Sequence, residues 1–325
     1  MIDFPFGSKT APFIRIYTHS ITVFHASPIT DTTNDSLTAT HITCHCGHLE
    51  ITKYLLERSA DPNAKALNGW NPLHVCCKKN RLEIARLLMN YGANVSARTT
   101  SGLTPLHLAA YSGAYDIVKV FVDTIFGAQE ITNKELLQSR NDRGETVLHM
   151  AVRSNNADCV KFLLENGEID VDGEREESDL LNNGGLCYPV ASPLQVACRL
   201  GNLEAVKLLL AYNADINRQL NDGSLFTSPL QIAIRAGHTQ VVARLLDSPH
   251  INIEIIEQAG SVNGRKSKST IKTSEVPVYS SFTPLLLASS LGLSEIVELL
   301  IDNGAKVKPI NSCISALHAG DLKSD

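Results

Sequence analysis

Residues 99 to 123 read TTSGLTPLHLAAYSGAYDIVKVFVD, and the local chemistry of this stretch decides the fold. Thr104 is a helix cap, because its side-chain oxygen can accept from orphan backbone N–H groups of a first turn. Pro105 then falls at the first helical position, where its missing N–H costs nothing. His107 stands at the third helical position and can reach back to the cap. Gly113 supplies the stop. A second apolar run, ending in IVKVFVD, follows at helical spacing. The stretch therefore predicts a short helix, a tight turn and a second helix.

The same anatomy recurs along the chain. With His107 as anchor, His74 in NPLH and His41 in TATH lie 33 and 66 residues earlier. His149 in TVLH, Gln195 in SPLQ, Gln231 in SPLQ, Leu286 in TPLL and His318 in SALH follow. The unit is 33 residues, with additions of 9, 13, 3 and 22 residues between later anchors. Where histidine is absent, Ser192 with Gln195 and Ser228 with Gln231 restore a Ser-x-x-Gln capping box. That paired replacement argues that the histidine caps rather than catalyses. Gly47, Gly201, Gly237 and Gly292 end first helices as Gly113 does, and LEIARLLMNYGA, LEAVKLLLAYNA and SEIVELLIDNGA are second helices.

The pattern resembles the ankyrin repeat family, on TPLHLAA (104–110), GHLEITKYLLERSADPNA (47–64), NPLHVCCKKN (71–80), ETVLHMAV (145–152) and the endings Gly92-Ala93 and Gly304-Ala305. Repeats 2 and 3 are most similar to those of the ankyrins, membrane-skeleton adaptor proteins. The resemblance covers residues 37–308 as seven repeats, with 1–36 as a non-repeat segment and 309–325 as a truncated eighth repeat. It implies an all-α repeat solenoid, in which antiparallel helix pairs are joined by β-hairpin fingers. It also implies stability built from repeat and nearest-neighbour interface terms.

Composition narrows the function. The net charge is −5 over 325 residues, without the basic footprint of a nucleic-acid binder. No run of 18 apolar residues exists, so no membrane span is expected. The N-terminus has no basic segment followed by an apolar one, so no secretory signal is expected. Eight dispersed cysteines then read as reduced thiols in a cytoplasmic protein. Both ends look unfinished, which suggests a fragment of a longer protein.

Chemistry-bearing motifs are few. Cys76 and Cys77 occupy the slots of Ala109 and Ala110, while Cys44 and Cys198 share the slot of Cys77. These are small residues where helices approach closely. HITCHCGH (41–48) crowds three His and two Cys together, but His41 is the capping histidine and no distant C-x-x-C completes a tetrahedral zinc set. No nucleophile elbow, phosphate loop or H-E-x-x-H is present. Neither metal nor other cofactor is expected, and no catalytic residue.

A partner surface is more legible. The position after the small pair is His45, Lys78, Tyr111, Arg153, Arg199, Arg235 and Ser290 in successive repeats. The family resemblance places it on a concave face that contacts partners. Four of these seven are permanently cationic, and Lys79 widens the set, favouring an acidic or phosphorylated segment. The plain alternative is a solvated polar face. The finger slot before the cap holds Trp70, Leu103 and Glu145, with Thr227 and Phe282 in later repeats, and Arg143 adds charge near a tip. Trp70 is expected to be partly exposed, as a binding hot spot, or else folded on the adjoining finger.

Three insertions stand out. Residues 124–139 are expected to lengthen a helix, and 172–189 to form a solvated loop. Residues 255–280 carry a basic Ser/Thr core in which Ser267, Ser269 and Thr270 are candidate phosphorylation sites. The expected function is a non-catalytic adaptor that binds another protein. The alternatives are a recruiting arm of a larger kinase or ubiquitin ligase, and the cytoplasmic domain of a channel.

Overall fold

The computed structural model describes residues 32–127, 136–166, 169–173, 190–221, 225–255, 258–259 and 282–307. The expectations for residues 1–31, for the 309–325 stub, for most of the two longer insertions and for Ser267, Ser269 and Thr270 lie outside the described residues.

Helices come in pairs. In a first unit, Met1–Asp142, the pairs are α1 (Ala39–Cys46) with α2 (Leu49–Glu57), α3 (Pro72–Lys78) with α4 (Leu82–Asn90), and α5 (Pro105–Tyr111) with α6 (Tyr115–Gly127). In a second, Arg143–Asp325, they are α7 (Val147–Ser154) with α8 (Ala157–Asn166), α9 (Pro193–Leu200) with α10 (Leu203–Ala211), α11 (Pro229–Arg235) with α12 (Thr239–Leu246), and α13 (Pro284–Ser290) with α14 (Ser294–Asp302). Within each unit, first helices pack on first helices and second on second, and each pair packs on itself. The extension of α6 to Gly127 accords with the lengthening expected from the first insertion.

The capping chemistry sets each first helix. Thr38, Asn71, Thr104, Thr146, Ser192 and Ser228 are extended N-caps with reciprocal capping boxes to His or Gln. The leucine after each proline, Leu73, Leu106, Leu194 and Leu230, is fully buried, as is Leu148 at the same slot of α7. These form the shared core between neighbouring pairs. Repeats 2 and 4 lack the stopping glycine, and Asn80 (φ 53°) and Asn155 (φ 57°) take the left-handed conformation instead.

The capping histidine does more than its local position predicts. In repeat 1, Nδ1 of His41 accepts from the Thr38 hydroxyl at 2.8 Å, so Nε2–H is free to donate to the Trp70 carbonyl of the next repeat at 3.0 Å. His74 reaches Leu103 O at 3.1 Å, and His149 reaches Ala191 O at 2.8 Å. Gln195 donates to Thr227 O at 3.4 Å and Gln231 to Phe282 O at 3.2 Å. One residue thus caps its own helix and ties it to the following finger.

Other ties run across repeats. Asn63 donates to Gly92 O (3.0 Å) and accepts from Asn94 N (2.7 Å). Asn217 does the same with His250 O and Asn252 N, and Asp172 and Glu254 accept from Asp215 N and Lys306 N. Fingers of the first unit are turns closed by Ala66 N to Trp70 O (2.7 Å) and Thr99 N to Leu103 O (2.9 Å). Each tip bonds the next, through Leu67 N to Asp35 O, Thr100 N to Asn68 O and Asp142 N to Ser101 O. Among the described residues the first unit has an isolated antiparallel bridge between Thr32 and Thr38, and the strands lie in the second unit. There β1 (Leu220–Asn221), β2 (Leu225–Thr227) and β3 (Gln258–Ala259) form a small antiparallel sheet in that order. Leu220 pairs with Thr227, and Phe226 with Gln258.

Repeat 2 carries a defect in this scheme. Its cap is Asn71, whose Oδ1 accepts from His74 N at 3.0 Å but also lies 2.7 Å from His74 Nδ1. A threonine hydroxyl would donate there; an amide oxygen cannot. The Asn71 Nδ2 group is buried without a hydrogen-bond partner. Asn71→Thr is therefore expected to stabilise the chain by about 1 kcal/mol, because it removes a buried orphan donor and supplies the missing hydroxyl. A rise in the urea midpoint at unchanged slope checks it.

Candidate partner-binding surface

The first-helix ends present the side chains expected to meet a partner. In the first unit, Lys78 closes α3 and is half-buried, with its ammonium 4.1 Å from the centroid of the Tyr111 ring at the end of α5. This cation–π contact holds the long lysine chain along the repeat axis. Burial, and then the charge of Lys79, lowers the Lys78 ammonium from its usual range. Lys79 is exposed. Arg81, the cap of α4, directs Nη2 at the Cys46 carbonyl of the previous repeat at 3.5 Å.

In the second unit, Arg153, Arg199 and Arg235 stand near or at the ends of α7, α9 and α11, and all three are exposed. These helices stack in succession, so equivalent side chains recur about 8–10 Å apart. Arg153 is tethered. Its Nε and Nη2 lie 3.1 and 2.5 Å from Glu145 Oε1. Arg143 is exposed.

The finger slot is corrected. Trp70 is 3% exposed, so it is no exposed hot spot. Leu103 and Glu145, at the same slot, are also buried, as is Thr227. For Trp70, Leu103 and Thr227 the reason is the cross-repeat bond: the carbonyl accepts from the previous repeat's capping residue, which draws the residue against its neighbour. The Trp70 ring sits beside His74, centroids 6.0 Å apart. Glu145 serves as the anchor of Arg153 rather than as a contact. The most exposed large apolar side chain among the described residues is Leu67, 69% exposed at the turn before Trp70. Its signal in the sequence is its place in the turn ALNG (66–69), three residues upstream of the slot that was read.

Five of the six cysteines among the described residues are framework. Cys44, Cys76, Cys77, Cys159 and Cys198 are fully buried, and Cys46 is exposed. Burial pushes the Cys77 and Cys198 thiols well up. It does the same to Cys76, which also hydrogen-bonds Cys44. Such thiols are poor nucleophiles and poor ligands. Both ring nitrogens of His41 are used by Thr38 and the Trp70 carbonyl, so the HITCHCGH cluster does not converge on an ion.

The family model of ankyrin repeats (3 copies) matches residues 18–99, 59–131, 96–175, 123–219, 174–259 and 194–311. The chain belongs to the ankyrin repeat family. Among curated proteins, human transient receptor potential cation channel subfamily A member 1 is 26% identical over 193 residues, 54% of this chain and 16% of that protein. The E3 ubiquitin-protein ligase KEG of Arabidopsis thaliana is 30% identical over 91 residues, 28% of this chain and 5% of that protein. The chain thus aligns with a small part of the length of either relative. Among solved structures, the ankyrin repeat domain of Bcl-3, a member of the IkappaB protein family, superposes with a TM-score of 0.58 at 24% identity. That match covers 82% of this chain and 99% of the other, and it shows the shared fold. Ankyrin repeats are protein-interaction modules, and the helix pairs here follow that architecture. No helix among the described residues is long and apolar enough to cross a membrane.

Proposed function

We propose that residues 37–308 act as a non-catalytic adaptor domain that grips a segment of another protein along its first-helix ends. The observation that carries the reading is the recurrence of cations at one structural slot within each unit: half-buried Lys78, beside exposed Lys79, in the first, and exposed Arg153, Arg199 and Arg235 in the second. Tyr111 adds to the first set and Arg143 to the second. A partner segment bearing carboxylates or phosphates complements it, since guanidinium groups bind both in a bidentate manner. The buried free thiols fit a reducing compartment, so the adaptor works in the cytoplasm. The test is a pull-down from cytosol comparing the wild type with Lys78→Glu/Arg153→Glu/Arg199→Glu. The triple variant is expected to lose the wild-type partners while keeping its far-UV circular dichroism. Recovery of the same partners by both forms rejects the surface.

A second reading has its own support. The curated relatives are a cation channel and a ubiquitin ligase, each far longer than the matched stretch. In that reading the repeats form the recruiting arm of a larger protein, and the same surface selects what it recruits.

A further inference from the structure

Repeat 2 carries three cations, Lys78, Lys79 and Arg81, beside His45 of repeat 1. His45 lies in the last turn of α1, Lys78 ends α3, Lys79 caps α3, and Arg81 caps α4. Arg81 is seated by a glycine. Gly47 has φ +85°, and a Cβ at that position would fall 2.8 Å from Arg81 Cζ and 2.9 Å from Nε. The guanidinium therefore occupies space that any other residue at 47 would fill. From there it reaches the Cys46 carbonyl, which sets its charge close to His45. The Lys78 ammonium lies over the Tyr111 ring of repeat 3. Burial first, and then the charges of Lys79 and Arg81, hold the His45 imidazole below its usual range. Lys79 also acts on Lys78. So the field of Lys79 reaches both His45 and Lys78, which belong to different repeats.

Helix C-termini offset part of this repulsion, because carbonyl ends of α1 and α3 favour cations. That accounts for one cation per helix end. It does not account for seating Arg81 across Gly47 when a short polar cap would satisfy the Cys46 carbonyl. At the same slot in the second unit a short cap, Asn202, reaches back to a carbonyl of an earlier first helix, Val152 O.

We propose that His45, Lys78, Lys79 and Arg81 form a subsite for the phosphoryl group of a phosphorylated segment on a partner protein. The proposal rests on the protein-binding reading above and names the chemistry of one part of that surface. A phosphoryl group carries about −1.5 to −2 charge and three strong acceptor oxygens. It can therefore meet several of these donors at once. A single carboxylate, with one charge and two oxygens, meets fewer.

The experiment uses the full chain and two fluorescein-labelled peptide pools, random in sequence around a fixed phosphoserine or a fixed serine. Fluorescence polarisation at constant ionic strength is expected to show about tenfold or greater preference for the phosphoserine pool. Lys79→Glu/Arg81→Glu should abolish that preference, and Lys79→Glu alone, at an exposed position, should reduce it severalfold without disturbing the fold. Lys161→Glu/Lys207→Glu, at exposed positions of the second helices α8 and α10, should leave it intact. Equal binding of both pools, no binding of either, or a preference that survives both Lys79 variants overturns the subsite. So does tighter binding to vesicles carrying phosphoinositides than to the phosphoserine pool. Loss of the preference alone leaves the adaptor reading standing, whereas that reading falls only by the pull-down.

Discussion

His149→Ala is expected to cost about 3–5 kcal/mol of stability, while His149→Gln costs about 1 kcal/mol or less. The imidazole is fully buried. Nδ1 accepts from Thr146 N at 3.1 Å and from the Thr146 hydroxyl at 2.8 Å, and Nε2 donates to Ala191 O at 2.8 Å. Alanine leaves a buried N–H, a hydroxyl and a carbonyl without partners, and it leaves a cavity as well. Glutamine can replace the contacts to the buried N–H and the carbonyl, because the chain already uses it so. Gln195 Oε1 accepts from Ser192 N at 2.8 Å, and its Nε2 donates to Arg218 O at 2.9 Å. The loss falls on the interface between repeats 4 and 5, and repeat proteins are held by such nearest-neighbour terms. The alanine variant is therefore expected to split the urea transition followed by far-UV circular dichroism, with α7 and α8 melting early. Hydrogen exchange over residues 147–166 locates the weak segment. Equal midpoints for the alanine variant and the wild type reject the cross-repeat role.

Much of the local structure is legible in the sequence because its causes are local. Thr104-Pro105-x-His107 writes a helix start, and Ser192-Pro-x-Gln195 writes the same start in other letters. The small slots at Cys76 and Cys77 mark close helix approach, and both side chains are buried as that predicts. What the sequence hides is what a side chain does at long range. His74 is three residues from its cap but 29 from Leu103, the second residue it bonds. Nothing in NPLH reveals that second bond. The burial of Trp70 follows from the equivalent bond of His41 to the Trp70 carbonyl, so the reading of Trp70 as an exposed anchor failed for want of a contact, not of a motif. Asn80 and Asn155 hide in the same way. Each takes a left-handed turn that glycine announces elsewhere. The tethering of Arg153 by Glu145 needs a finger and a helix end eight residues apart to meet, which spacing alone does not show.

Acid is expected to weaken the first unit well before its carboxylates can account for the loss. The fully buried His74 has its pKa lowered from 6.5 to about 4, chiefly by burial, while its bond to the Leu103 carbonyl acts in the opposite sense. Burial also lowers that of His41. Between pH 6.5 and 4 the unfolded chain holds a proton at position 74 that the folded chain does not. Protons then favour unfolding, so the stability contributed by the neutral ring is complete above pH 6.5 and lost as the pH falls towards 4. For His74 the loss amounts to about 3 kcal/mol across that window, and His41 adds in the same direction. Trp70, the chain's one tryptophan, lies beside His74 and reports this unit. Urea unfolding followed by tryptophan emission should show a midpoint that drops between pH 7 and pH 4.5. His74→Gln keeps both hydrogen-bonding arms and cannot take up the proton, so its midpoint should fall much less. Asn71→Thr should deepen the fall, since it removes the amide oxygen 2.7 Å from Nδ1, the contact that favours an imidazolium. Parallel pH curves for the wild type and His74→Gln would show that the buried ring is not the group that titrates.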